Sequence, residues 1–527
     1  GFRWIFDVTD YAHLFRDSVD ISAGNNQELI DVQFVMIEGD QMAPVKELTR
    51  PWGQSGSKSY ANLDNDVSLA PVDVPLDPDA EHFKIKTRFT GHGHNSNTGN
   101  FPHCCEWKDN THYFHVDGNQ TDEWHIWQTH ECAQNPVYPQ GGTWPGSREG
   151  WCPGDVVKDF EFMLTDDISG SSAELDYSIT PVPSNNLGMG SGNYVVGMHF
   201  MQYGAASHNL DAEIYDVINP NNWEYYRRTN PMCDDAKLVI RNSGATPLTS
   251  ATITYGVIGG PQLTVDWTGN LAFMEKETVD LPIALPNLEF WWGDGSNRFQ
   301  ATISDPNGST DEYADNDVYT THYNAPPDYP SGIVIRYSTN NFNQENQYEL
   351  LDVNGNVIQA RYGNQTTANT DYRDTVELEP GCYVFKVLDT ENDGLSYWAY
   401  PAQGSGSVRL RENGGSTLIN FEPEFGREIT HAFTVGGSAS INDLSLESMF
   451  NVYPNPNSGL FDLELSGVEG TSIIEILNSI GSVVMRYQTD ARDLHKRRID
   501  LTNEGAGIYF VRYTNGTQQN LKKVVVR

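Results

Sequence analysis

With 527 residues the chain exceeds what a single hydrophobic core supports, so several domains are expected. Its 33 basic against 71 acidic side chains leave a formal charge of −38, which repels nucleic acid and anionic lipid and argues against both as partners. No run of about 18 apolar residues is present, so a chain that does not span a membrane is expected, with a surface suited to life outside the cell.

Glycine (47) and proline (27) punctuate short alternating runs such as KLVIRN, SATITYGVI and YFVRY, the pattern of an all-β, multidomain protein. Residues 1–44 predict two strands, RWIFDVTDYAHLF and NQELIDVQFVMIEG, joined by a helical turn. Two strands bury no core. The segment is therefore expected to be the end of an upstream jelly roll, or to complete the next sheet. Because the chain opens on Gly1, a processed or trimmed product with a missing upstream part is expected.

Residues 45–222 carry strand-like runs, among them HFKIKTRFTGH, THYFHVDG, AELDYSITPV and NYVVGMHFMQYG, consistent with a jelly roll. Between His92 and Cys152 lie seven of the fourteen histidines, five of the twelve tryptophans and four of the six cysteines, a density that packing alone does not require. Cys132 and Cys152 bracket a loop rich in Gly, Pro and Trp; pairing them closes about 20 residues and stabilises by about 3 kcal/mol. That disulfide is expected, and with it an oxidising compartment. Cys104 and Cys105 are left open between a vicinal disulfide and a bond elsewhere; Cys233 and Cys382 fall in separate later domains, and their pairing is left open, free thiols being one alternative. His92 and His94 share a strand face and, with His112 and His115 or His125, raise a zinc or copper site, although the spacing fits no closed ligand motif.

Residues 223–324 show about seven short strands with regular turns, as in an immunoglobulin-like sandwich, and after the proline-rich NAPPDYPSG residues 325–437 form a second β-sandwich. Within it DTENDG presents Asp389, Glu391 and Asp393 at alternate positions before Gly394, the pattern of a calcium loop lacking its distal bidentate glutamate. A structural calcium ion is the one cofactor this pattern allows; a plain acidic turn is the alternative. Asp311, Asp315 and Asp317 form a similar, sparser group. Residues 438–449 are small and polar, a linker. Residues 450–527 hold nine basic against eight acidic residues, unlike the rest of the chain, which points to a separate partner.

Two resemblances sharpen this outline. NVYPNPNSGLFDLEL (451–465), IIEILNSIGSVVMR (473–486), GIYFVRY (507–513) and the closing LKKVVVR resemble the C-terminal sorting domain of the type IX secretion system of Bacteroidetes. The resemblance implies recognition of 450–527 by the outer-membrane translocon and its shuttle, and a protein secreted or attached to the outer surface of the cell.

The motifs DVTD (7–10), GHGH (91–94), CCEW (104–107), CAQNP (132–136), Trp144 and REGWCPG (148–154) resemble the second half of the peptide-N-glycosidase F family, amidases that remove N-glycans from asparagine. The resemblance implies two jelly rolls with a cleft between them and a main catalytic aspartate on the first, upstream of this chain. It assigns Glu106 to the catalytic cleft, there contacting substrate through a water, and Arg148 and Trp151 to its lining. It also pairs Cys132 with Cys152. His92 stands where the family has an aromatic, Lys108 replaces a cysteine of the glutamate loop, and the family's other glutamate falls on Gly24 or a neighbour. Hydrolysis of an amide needs a carboxylate to activate water and donors for the oxyanion. Glu106 beside Trp107 suits a half-buried position, while Trp144 and Trp151 offer flat faces to sugars or fill the loop. The expected function is release of N-glycans from glycoproteins. The alternative is a non-catalytic surface protein that holds a glycan or a partner in the same cleft.

Overall fold

The computed structural model describes residues 3–21, 31–93, 104–129, 131–134, 147–180, 192–227, 233–283, 290–291, 293–436, 450–465, 471–478, 482–490, 496–515 and 518–527. The chain is nearly all β, as its alternating runs predict, and divides into two units, Gly1–Gly437 and Ser438–Arg527.

The first sandwich is built from strands β1 (Val45–Thr49), β2 (Gly56–Ser59), β3 (Val72–Pro75), β4 (His82–His92), β5 (Thr111–Val116), β6 (Asn119–His125), β7 (Trp127–Gln128), β8 (Arg148–Glu149), β9 (Phe160–Met163), β10 (Ser172–Ile179) and β11 (Asn193–Tyr203). One sheet runs β1-β11-β4-β9 with β2 also on β11; the other runs β3-β10-β5-β6; β7 and β8 form a short separate pair. Alternate residues of β5, β10 and β11 turn inward, and Phe89, Phe114, Trp124, Tyr177, Tyr194 and Phe200 from both sheets meet in one buried cluster. Antiparallel pairing of β4 with β11 continues without a break from His82↔Tyr203 to His92↔Asn193. That long register carries β4 out to the sandwich rim, where Gly91 and His92 enter the site.

Residues 1–44 depart from expectation. The described part holds a 3-10 turn, Thr9–Leu14, and no strand. Val32, Val35 and Ile37 are exposed, and beyond a Phe15–Phe34 ring contact at 5.2 Å no described strand pairs with the second run to hold it extended in a sheet. The turn itself is fastened to the first sheet, with Asp10 paired to Lys84 at 2.8 Å and accepting from the Tyr203 hydroxyl at 2.7 Å.

The next strand, β12 (Ala212–Asn219), pairs with Ala236–Asn242 rather than with the first sandwich. Its Ala212, Ile214 and Val217 enter the second core, so the boundary expected near 222 falls before 212. That second sandwich has a three-stranded sheet and a four-stranded one, Gln262–Leu271, Leu248–Val257, Arg298–Ser304 and Val318–His322 in order. The third packs a five-stranded against a four-stranded sheet around Ile333, Tyr348, Phe385 and Phe433. Cys233 and Cys382, whose pairing the sequence leaves open, form a disulfide between these two modules. Their separation in sequence, 149 residues, hid a contact that only module packing creates.

The unit Ser438–Arg527 is a small sandwich of three- and four-stranded sheets. The asparagines of its YPNPN motif stitch that turn to the final strand. Asn455 donates to Lys523 O (2.6 Å) and accepts from Val525 N–H (2.8 Å), while Asn457 Oδ1 accepts from Gly459 N–H at 2.7 Å.

Candidate functional site

The site assembles where the end of β4, the loop 104–110 and strand β8 converge. Gly91 lies so close to the Cys105 carbonyl that a Cβ would sit 1.6 Å from its oxygen, so only glycine permits the approach. The loop is then pinned to the strand end by reciprocal bonds, Glu106 N–H to Gly93 O (3.0 Å) and Gly93 N–H to Glu106 Oε2 (3.1 Å). Glu149 N–H donates to Glu106 O (3.1 Å), which adds β8 to the assembly. The Cys132–Cys152 disulfide closes the loop that carries β8, and Trp151 Nε1 donates to Gly91 O at 2.7 Å.

Successive residues of a strand face opposite ways. Arg148 and Glu149 therefore serve two environments. Arg148 is buried and places Nη1 2.6 Å from Glu106 Oε1. Its guanidinium lies over the rings of Trp107 (4.5 Å) and Trp151 (4.8 Å), a cation held between two indoles. Burial pulls it below the usual arginine range, and Glu106 opposes that pull. Glu106 keeps 17% of its side-chain surface open, with Oε1 on Arg148 and Oε2 on Gly93 N–H. His92 stacks on Trp151 with centroids 4.9 Å apart and meets Thr90 Oγ1 at 2.8 Å through Nε2. Burial lowers its pKa, with Glu106 and Arg148 acting in opposite senses.

Glu149 faces the core. It is fully buried, with Oε1 near His112 Nε2 (3.3 Å) and accepting from Tyr194 OH (3.2 Å), while Oε2 has no partner. The distance to His112 would suit an ion pair, but desolvation drives the two groups toward neutrality: His112 falls to about 3 and Glu149 rises to about 9. Their contact is a hydrogen bond between neutral groups. His112 Nδ1 also meets Tyr177 OH at 2.7 Å. Glu149 went unnoticed in the sequence beside Arg148; the two-residue period of a strand was the signal available.

Glu106, Trp107, Arg148, Trp151 and His92 thus come together, and Trp144, His94 and the segment around Gly24 lie outside the described residues. Trp151 packs against Arg148 and His92 and donates to Gly91 O. Cys104 and Cys105 are both buried thiols. The histidines form no ligand cluster among the described residues: His112 is in the core, His115 bonds Ser178 (2.8 Å) and His125 pairs with Asp109 (2.7 Å). Asp311, Asp315 and Asp317 form none either. Of the expected calcium ligands, Asp389 and Asp393 converge, but with Glu345, while Glu391 is exposed. Glu345 precedes Asn346, the cross-strand partner of Asp389, and pairing those two strands was the route to it.

The fold and the site define a multidomain all-β protein whose first sandwich holds an aromatic-walled carboxylate–guanidinium pair and whose last unit is a separate small sandwich. Residues 59–198 match the family model described as Peptide-N-glycosidase F, C terminal, and residues 451–527 match the Secretion system C-terminal sorting domain. The chain thus carries a peptide-N-glycosidase F-like domain and a type IX sorting domain, which marks it as secreted or attached at the outer cell surface. Peptide-N(4)-(N-acetyl-beta-D-glucosaminyl)asparagine amidase F of Elizabethkingia miricola is 27% identical over 114 residues, 21% of this chain and 32% of the relative. The solved structure of PNGase F, a glycosylasparaginase from Flavobacterium meningosepticum, is 21% identical and covers 30% of this chain and 51% of that one, with a TM-score of 0.26. PNGF-II is 19% identical, covering 26% and 25%, with a TM-score of 0.21. The chain therefore spans about a third of the curated relative's length and about half of that PNGase F structure's. Among the described residues no helix is long and apolar enough to cross a membrane.

Proposed function

We propose that the first sandwich supplies one wall of a glycoprotein-directed amidase site that hydrolyses the bond between an N-glycan and its asparagine. The observation that carries this is the Glu106–Arg148 pair, fixed at 2.6 Å beside two indoles, with the Glu106 side chain only partly buried. Such a pair is preorganised: Arg148 holds Glu106 in place, and Glu106 binds a substrate hydroxyl or an ordered water without reorganising. Trp107 and Trp151 exclude water from the guanidinium and stiffen the rim. The carboxylate that activates the attacking water is proposed to come from a companion jelly roll, because Glu106 is committed to Arg148.

The test is treatment of a denatured N-glycoprotein with the full-length gene product, followed by mass spectrometry for the asparagine-to-aspartate change, with Glu106→Ala alongside. Conversion by the parent and its loss in the variant are expected. A folded full-length protein that converts nothing would overturn the amidase assignment and leave a surface protein that binds glycans or a partner.

A further inference from the structure

The third module holds a second concentration of chemistry, separate from the Glu106–Arg148 pair. Carboxylate oxygens of Glu345, Asp389 and Asp393 lie within 4.8 Å of one another. The strands Asn346–Asp352 and Gly381–Asp389 bring them together, since Asn346 pairs with Asp389 and Thr390 N–H donates to Glu345 O at 3.0 Å.

The satisfied atoms show how the group is aimed. Asp389 is 1% exposed; its Oδ1 accepts from the backbone N–H groups of Asn392 and Asp393, while its Oδ2 is buried without a partner. Asn346, on the same face by its register, is fully buried and both its amide atoms are likewise unpartnered. A buried carboxylate oxygen without a donor is costly, and a second and third carboxylate beside it compound the cost. The neighbours that act on Glu345 and Asp393 are other carboxylates and the Gln403 amide, with no cationic side chain among them. Burial and mutual repulsion push Glu345 to about 7 and Asp389 to about 8.

Hard oxygen donors converging from two strands and a turn, with a carbonyl-type oxygen available from Asn346, suit a dication that takes six to eight oxygens in flexible geometry. We propose that Glu345, Asp389 and Asp393 bind one divalent cation of the calcium class, which fixes the loop running from Thr390 to Gln403. Gln403 transmits the constraint. Its Nε2 donates to Asp393 Oδ1 (2.7 Å) and Gly394 O (2.9 Å), and its Oε1 accepts from Tyr397 N–H at 3.2 Å. The loop displays Trp398 and Tyr400, 59% and 49% exposed, and its buried Tyr397 acts electrostatically on Arg148. The cation therefore also steadies a neighbour of the candidate site, although its binding does not depend on the amidase assignment.

The full chain, stripped with EDTA and dialysed into chelator-free buffer, is titrated with calcium by calorimetry and with terbium by sensitised luminescence. Calcium is expected to raise Tm by about 5 °C at saturation. Glu345→Gln and Asp393→Asn, which keep shape and hydrogen-bonding capacity, are expected to lose one bound calcium or weaken it by about tenfold or more. Glu391→Gln is expected to bind as the parent does. No calcium or terbium binding by the stripped parent, or a Glu391→Gln variant that loses the ion while Glu345→Gln keeps it, would overturn the proposal. Should a variant fail to fold, the parent's own titration still decides whether the ion binds.

Discussion

Glu106 and Glu149 are joined by one backbone hydrogen bond, 3.1 Å long, yet their carboxyl groups face opposite electrostatic surroundings. Glu106 meets a guanidinium at 2.6 Å and is only partly buried; Glu149 is sealed among His112, Asn110, Tyr177 and Tyr194, where desolvation outweighs the pull of Lys108. Burial alone favours the neutral acid, whereas burial beside a fixed cation keeps the charge available. One β-strand of two residues thus separates a charged pair fit for recognition from a neutral network fit for holding a core. The chemistry of the site depends on keeping those two environments apart.

The largest break in this contrast is to remove the cation. Arg148→Met fills similar space but leaves Glu106 half-buried without its partner and takes the cation from between two indoles. Unfolding by urea is expected to show a loss of about 2–4 kcal/mol, in line with breaking a buried pair from one side. Glycopeptide turnover by the full-length gene product is expected to fall by about 100-fold or more. Arg148→Lys restores the charge without the planar fork and should recover stability more than turnover. A variant as stable and as active as the parent would mean that Glu106 needs no cation, and the contrast with Glu149 would lose its basis.

A smaller effect tests the other half. The folded pKa of Glu149, about 9, lies above that of an ordinary glutamate, so its neutral form favours the fold fully below about pH 4.5 and loses that advantage as pH rises toward 9. His112, lowered to about 3, works in reverse: its contribution is present above about pH 6.5 and is lost as pH falls. Between about pH 6.5 and 9 only Glu149 of this pair titrates between the two states, which predicts a fall of about 1.4 kcal/mol per pH unit. Glu149→Gln keeps the acceptor toward His112 and Tyr194 but carries no proton to lose, so its stability curve should be flatter by that slope. Denaturant unfolding of both proteins across the window measures it. Equal slopes would show that Glu149 is already ionised in the fold.

Much of this arrangement was legible before any coordinates. Glu106 and Arg148 stand in motifs that resemble the peptide-N-glycosidase F family, Cys132 and Cys152 bracket a loop rich in Gly, Pro and Trp, and alternating runs marked the sandwiches as β. What failed was whatever depends on a partner remote in sequence. The apolar runs of residues 1–44 read as strands, but a strand exists only where another pairs with it, and their described parts meet none. His112 looked like a metal ligand because composition cannot distinguish a histidine aimed at a loop from one aimed at a core. Glu391 sat at the right spacing for a calcium loop, whereas the third carboxylate comes from Glu345 across a strand pair. Cys233 and Cys382 met for the same reason, through the packing of two modules.

His92 allows the smallest and most discriminating test of where the charged site ends. It touches Trp151, shares a hydrogen bond with Thr90, and has its pKa lowered chiefly by burial, which favours the neutral ring. A neutral, half-buried imidazole stacked on an indole acts as a wall. His92→Phe keeps the stack and removes the ring nitrogens, with an expected stability change within about 1 kcal/mol. Turnover at neutral pH is then expected to stay within about threefold of the parent. A proton-transfer role would give a different signature, a loss of about 100-fold or more together with disappearance of one limb of the pH–rate profile. Measuring that profile for parent and variant separates the two, because a wall residue moves the height of the curve slightly and leaves its shape alone. If the limb disappears, the chemistry extends past the Glu106–Arg148 pair onto the end of β4, and His92 belongs with the charged face of the strand assembly rather than with its frame.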